Sequence, residues 1–197
     1  MKFESSKLVW LNPAGFSYVE NEKIIIVTDP NTDFWQRTYY GFQVGNGPAL
    51  VMPCKEDFTF TVKCEFESKT QYDQCGIILY HSDACWFKGG VEFEDSQVSR
   101  LGSVVTNYGY SDWATTDIST ELSQMWYRVS RKGSDYLLEN SLEGKEFKQM
   151  RLFHLHSTEE LVNVGIYACS PKESSFRATF SEFNLEKSTW EAYQNGE

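Results

Sequence analysis

The chain has 197 residues, with 18 basic against 28 acidic side chains and a formal net charge of −10. That length suits one well-buried domain, and the acidic balance argues against nucleic acid or an anionic membrane surface as partner, because phosphate binding draws on clustered Lys and Arg. Aromatic residues at 16% and charged residues at 23% exclude disordered, collagen-like and coiled-coil classes.

In chain order, the start MKFESSKLVWLNPAG carries an early Glu and no apolar signal core. No apolar run comes near the ~20 residues that span a bilayer, so the expected location is cytoplasmic. Strand patterns follow at KIIIVT (23–28), FTFTVKCEFE (58–67), CGIILYH (75–81), CWFKGGVEF (85–93) and QVSRLGSVVT (97–106). Further ones lie at WYRVSRK (126–132), DYLLEN (135–140), VNVGIYAC (162–169) and RATFSEFNL (177–185). The clearest is 58–67, where Phe58, Phe60, Val62, Cys64 and Phe66 fall on one face and Thr59, Thr61, Lys63, Glu65 and Glu67 on the other.

Turn chemistry separates these runs at Asn46-Gly47-Pro48, Lys132-Gly133-Ser134-Asp135, Glu143-Gly144-Lys145 and Ser170-Pro171. The five prolines fall outside the expected strand centres. Residues 108–113 read as an aromatic loop over one end of a sheet. Residues 156–163 read as one helical turn capped by Ser157 or Thr158. Many short strands with Gly-bearing turns predict an antiparallel sandwich or barrel. One domain over 1–187 is expected, with 188–197 as a peripheral tail.

The five cysteines, at 54, 64, 75, 85 and 169, include no C-x-x-C pair. Their odd number, without a signal peptide, argues against a disulfide framework, and they read as buried reduced thiols. The histidines are His81, His154 and His156. His154 and His156 would share one strand face, but finger spacing is absent. The expectation is therefore neither metal nor cofactor.

A series of short motifs carries a resemblance. Trp10, Asn12 and Pro13 are followed by Asp33-Phe34-Trp35-Gln36-Arg37-Thr38 and Tyr40-Gly41-Phe42. Then come Tyr72-Asp73-Gln74-Cys75-Gly76, Trp86 through Glu92, Ser103 through Thr106, and Gly109-Tyr110-Ser111-Asp112-Trp113. Trp126-Tyr127-Arg128, Arg131-Lys132-Gly133, Ser141-Leu142-Glu143-Gly144 and Val164 through Pro171 complete it. In this order, over nearly the whole chain, the sequence resembles the bacterial YesU-type family of unassigned function, itself similar to the concanavalin A-like lectin/glucanase fold. The resemblance implies an all-β antiparallel sandwich of jelly-roll type, with a concave sheet face that carries sugar in related proteins. Function drawn from fold likeness alone is associational.

The residues offer a candidate site on that face. Along strand 85–93, Trp86, Lys88, Gly90 and Glu92 share one side, and Phe87, Gly89, Val91 and Phe93 form the core side. A ring can stack on the C–H face of a sugar while charged groups take its hydroxyls, and Gly90 keeps the floor shallow. The alternative is a Lys–Glu pair beside a rim Trp on a solvated sheet. If Phe34–Thr38 is extended, Trp35 and Arg37 share a face as a stacking wall and clamp. Asp73 and Gln74 open a strand beside the same cleft, and Trp113 lies at its edge.

Catalysis has a thinner basis. Glucanases of this fold carry acidic residues at alternate positions of one strand. Here Glu92 and Glu94 supply two, but position 96 is Ser and Asp95 points away. No G-x-S-x-G elbow, P-loop or H-E-x-x-H occurs. The expected function is therefore carbohydrate binding, with an oligosaccharide or sugar-like small molecule as partner. The alternatives are a glycoside hydrolase using Glu92 as acid or base, and a non-catalytic interaction domain that could form a homodimer.

Overall fold

Alternation of period two builds two large sheets. In Phe58–Phe66 the residues Phe58, Phe60, Val62, Cys64 and Phe66 are buried, while the partners between them are buried less regularly. The computed structural model describes residues 7–191 and, among these, sixteen strands and no α-helix. With strands numbered in chain order, the first sheet runs β1 (Val9–Asn12), β6 (Ala49–Cys54), β15 (Val162–Cys169), β8 (Gln74–Ser82), β9 (Cys85–Phe93), β10 (Val98–Asn107), β11 (Tyr110–Ser119). The second runs β14 (Lys148–His154), β13 (Asp135–Ser141), β12 (Gln124–Lys132), β7 (Phe58–Phe66), β16 (Arg177–Lys187), β3 (Lys23–Val27), β2 (Phe16–Glu20). A short hairpin of β4 (Phe34–Gln36) and β5 (Gln43–Gly45) stands apart from both.

The protein is an antiparallel β-sandwich, the class the sequence predicts. Its main core lies between the sheets. Ile77, Leu79, Phe87 and Val91 from the first sheet meet Phe58, Phe60, Val62, Tyr127, Val129, Leu138 and Phe180 from the second. Phe87 and Val91 thus take the inner side of β9, as the alternation requires.

The outer side of the first sheet carries a second apolar cluster. Ala49, Val51, Ile78, Trp86, Val104, Tyr167 and Cys169 are covered there by Phe34 and Trp35 of the small hairpin. Two-sided burial explains why β6, ALVMPC, was not among the expected strands: apolar residues on both faces erase the alternation. Edge strands β1, β2, β11 and β14 also escaped the pattern. In β11 most side chains are exposed on both faces, so Tyr110–Ser119 carries no dry stripe, and the expected aromatic loop is a Tyr108-Gly109 turn leading into that strand. Residues 156–163 form no helical turn; they connect β14 to β15, and Val162 already belongs to a strand.

Past β16, the Thr189 amide donates to Thr59 Oγ1 at 2.9 Å. The rest of the expected tail, from residue 192 on, lies outside the described residues.

Candidate functional site

A bare strip of sheet forms the floor of the cleft. Tyr167 of β15 pairs with Gly76 of β8, Gly76 with Gly90 of β9, Gly90 with Gly102 of β10, and Gly102 with Thr115 of β11. Three successive strands thus meet in glycine, on the outer face that carries Trp86 and Lys88. A Cβ on Gly90 would collide with the Cys75 carbonyl, and one on Gly76 with the Gly89 carbonyl. The close approach of the strands therefore demands glycine at both positions. At Gly102 a Cβ would meet Trp113 Nε1 at 3.2 Å, because the indole of β11 leans across this glycine.

Over this floor opens a cleft of about 730 Å³. Its walls are mixed in chemistry. Exposed rings rim it: Tyr40 and Phe42 from the hairpin tip, Tyr72 from the segment before β8, and Trp113, which is 40% exposed. Tyr40 and Phe42 stack with centroids 5.8 Å apart, and Tyr40 packs edge-on against the buried Trp35 at 5.4 Å.

One flank is a chain of charged and polar groups. Lys88 Nζ donates to Asp33 Oδ1 at 2.7 Å and to Gln74 Oε1 at 2.8 Å. The other end of the same amide, Gln74 Nε2, donates to Glu92 Oε2 at 3.0 Å. Register sets Gln74 opposite Glu92 across β8 and β9, while Lys88, opposite Ile78 and four residues away on the same face, reaches back along the sheet to the Gln74 amide. Burial of the Glu92 carboxyl, reinforced by the negative charges of Asp33 and Glu94 and opposed by Lys88 and Arg100, pushes it up to about 7.

Glu94 has the opposite environment. Arg100 Nε donates to it at 2.9 Å and Gln71 Nε2 at 2.7 Å. These bonds, that from Arg100 first, hold its carboxyl below the ordinary value. Glu94 lies one residue past β9, yet it lines the cleft beside Glu92. Two acids two residues apart therefore differ in charge near neutral pH.

Of the eight residues expected at the site, five meet at this cleft: Trp35, Gln74, Lys88, Glu92 and Trp113. Three are placed elsewhere. Trp86 is 1% exposed, with Phe34 above it at a ring distance of 5.8 Å, so it is core beneath the hairpin and offers no stacking surface. Arg37 leaves the strand at a φ of 58°, which breaks the alternation that would have put it beside Trp35. Its Nη1 instead donates to the Gly109 carbonyl at 2.8 Å, and it lines a separate shallow recess with Asn46, Asp83 and Ala84.

Asp73 is fully buried. It accepts from the Lys69 and Thr70 amides, both at 2.9 Å, and from the Ser170 and Ser174 hydroxyls at 2.8 and 2.9 Å. Its work is to pin the turn that presents Gln71 and Tyr72. Sequence reasoning missed Asp33, Tyr40, Phe42 and Arg100 as cleft residues. A cluster of exposed-type aromatics at Tyr39-Tyr40-Gly41-Phe42 was the available signal.

His154 and His156 do come together, with rings 4.5 Å apart, but His154 Nδ1 is taken up with Asp135 at 2.7 Å and His156 lies against Tyr108. Among the described residues no set of three His, Cys, Asp or Glu is placed to hold a metal ion.

Comparison with known proteins gives a consistent picture. The model of a family described as "Protein of unknown function (DUF1349)" matches residues 10–188. The chain is similar to Regulation of enolase protein 1 of Saccharomyces cerevisiae, with 33% identity over 182 residues covering 92% of this chain and 90% of that one. It is equally similar to a solved structure of a functionally unknown protein from Saccharomyces cerevisiae, with 33% identity, a TM-score of 0.88, and coverage of 94% and 98%. More distantly, it shares its fold with a mutant of the GH43 protein BlXynB from Bacillus licheniformis. That match has 17% identity and a TM-score of 0.66, and spans 84% of this chain but 33% of the other. At that identity the likeness is one of fold alone.

Proposed function

Because the chain belongs to the DUF1349 family of proteins of unknown function, its activity has to be argued from the cleft, and we propose that this cleft binds a carbohydrate. The observation that carries the proposal is the joining, over one glycine floor, of exposed rings on the rim with a hydrogen-bonded polar flank. Sugars present a C–H face and a fringe of hydroxyls, and the cleft offers a surface for each. Trp113 and the Tyr40–Phe42 pair stack; Gln74, Lys88 and Glu92 orient hydroxyls. The narrower kinship with bacterial YesU-type proteins and their lectin-like relatives belongs to the same reading, as does a cytoplasmic location.

A glycan panel read by intrinsic tryptophan fluorescence tests it. A saturable, sugar-specific change is expected, and Trp113→Ala should weaken it about tenfold, the scale of an aromatic contact of about 1–1.5 kcal/mol. Thermal stability should stay close to the parent value, since this ring is partly exposed. A flat response across neutral and acidic oligosaccharides would overturn the reading. Because the yeast relative's name speaks of enolase regulation, protein partners would then be the next search.

One observation favours a second reading, glycoside hydrolysis. Glu92 is driven toward its neutral form and Glu94 toward its charged form, and such divergence is how one site supplies both an acid and a base. Glu92→Gln would then abolish turnover of the bound glycan while preserving its affinity; full turnover in that variant would exclude Glu92 as the acid.

A further inference from the structure

The amide of Gln74 can take only one orientation. Lys88 has donors and no acceptors, so the side-chain atom of Gln74 that faces it at 2.8 Å must be the carbonyl oxygen. The NH₂ group then points to Glu92 Oε2 at 3.0 Å and to the Tyr72 carbonyl at 3.2 Å. Asp33 in turn fixes Lys88, at 2.7 Å from its Nζ. An oxygen that receives an N–H donor is poorly suited to carry a proton of its own. The second oxygen, Glu92 Oε1, receives no hydrogen bond among the described residues, and it is not one of their buried unpartnered atoms. Since Glu92 lines the cleft, Oε1 is the oxygen open to it.

We propose that Gln74 is a positioning residue that reserves Oε2 of Glu92 as an acceptor and so places the carboxyl proton on Oε1, where it is donated to an oxygen of the bound ligand. This rests on the cleft being the ligand site and adds to it a polarity: the Asp33–Lys88–Gln74 chain sets which atom of Glu92 gives and which receives. The groups facing Glu92 are Lys88 on its own strand, Asp33 before β4, Glu94 past the strand end, Arg100 on β10, Tyr72 on the rim, and Tyr167 and Cys169 on β15. Burial raises the two phenols and the thiol further, so at neutral pH all three are uncharged and the titration there belongs to Glu92. The sign follows: as pH climbs past about 7, Glu92 loses its donor and a ligand that depends on it should be released.

The test needs no ligand. The titration of Glu92 is followed by carbon-detected NMR of its side-chain carboxyl in the full chain, alongside the infrared C=O stretch of the protonated acid. Gln74→Leu removes the donor that favours the carboxylate, and should raise the midpoint by about one pH unit. The C=O stretch should rise as well, because Oε2 loses its hydrogen bond. Should Gln74→Leu not fold, Gln74→Met keeps the length of the side chain and removes the donor to Glu92 without adding a charge, and should also raise the midpoint. An unmoved midpoint and an unmoved stretch in a folded variant would overturn the assignment, since a purely structural role shifts only the melting temperature.

The glycan panel on the parent protein separates the two claims. Sugar binding at this cleft with an unmoved titration defeats the proton placement alone. A moved titration with a flat panel defeats donation to a sugar and leaves the internal polarity standing. Glu92→Gln, whose amide still donates at every pH, should bind the same glycan without loss above pH 7; a loss identical to the parent's would count against donation by Glu92.

Discussion

Glu92 and Glu94 are the same residue type only two positions apart, one inside β9 and one just past its end, yet their carboxyls are shifted in opposite directions. Glu94 sits between the Arg100 guanidinium and the Gln71 amide, and both stabilise its charge. Glu92 is one position inside the end of β9, where burial outweighs Lys88 and Arg100. A raised native value means the folded state keeps a proton that the unfolded chain releases. The stability contributed by neutral Glu92 is therefore complete below its ordinary value of 4.5 and declines until pH passes about 7. Urea unfolding of Glu92→Gln should show a flatter stability profile than the parent between pH 5 and 8; parallel profiles would refute the assigned environment. Alternation alone revealed that Lys88 and Glu92 share a side of the strand. The contrast between Glu92 and Glu94 was not legible, because it depends on Gln71 and Arg100, which approach from a turn and a neighbouring strand.

At the level of elements, the β4–β5 hairpin accounts for most of the distance between the expected and the observed site. Strand β9 was readable, inner and outer sides included, and so was the outward direction of Trp86. What covers Trp86 was not, since a three-residue strand such as Phe34–Gln36 leaves no periodic trace and Arg37 at positive φ ends it. The hairpin turns a would-be binding ring into core and offers Tyr40 and Phe42 in its place. Trp86→Ala should accordingly cost about 3–5 kcal/mol in denaturant unfolding, the usual penalty for emptying a large buried aromatic site. A loss under about 1 kcal/mol, with sugar binding abolished, would instead restore Trp86 to the binding surface. Two longer strands escaped notice for opposite reasons: β6 is buried on both sides, and β11 is open on both.

For the molecule as a whole, the sandwich sets a core between its sheets and a second cluster outside the first sheet, with the cleft at the edge of that cluster. The turn before β8 is fastened to both parts. Asp73 holds the Lys69–Thr70 backbone on one side and Ser170 on the other, and Ser170 is paired with Thr28 at 2.6 Å. The ends of β3, β15 and the cleft rim are thereby joined in one buried network, and partial opening of the rim would strand its carboxylate without partners.

All five cysteines are buried, and burial raises the thiols of Cys64, Cys75 and Cys169 so that little nucleophilic thiolate exists at neutral pH. They are distributed over two compartments. Cys54, Cys64, Cys75 and Cys85 belong to the space between the sheets, while Cys169 lies in the outer cluster with Phe34. The chain thus carries two internal clocks. A thiol-reactive reagent, read cysteine by cysteine by mass spectrometry, should modify Cys169 at the rate at which the hairpin lifts and Cys64 and Cys75 at the slower rate at which the sheets part; equal rates for all three would mean that hairpin and sandwich open as one unit.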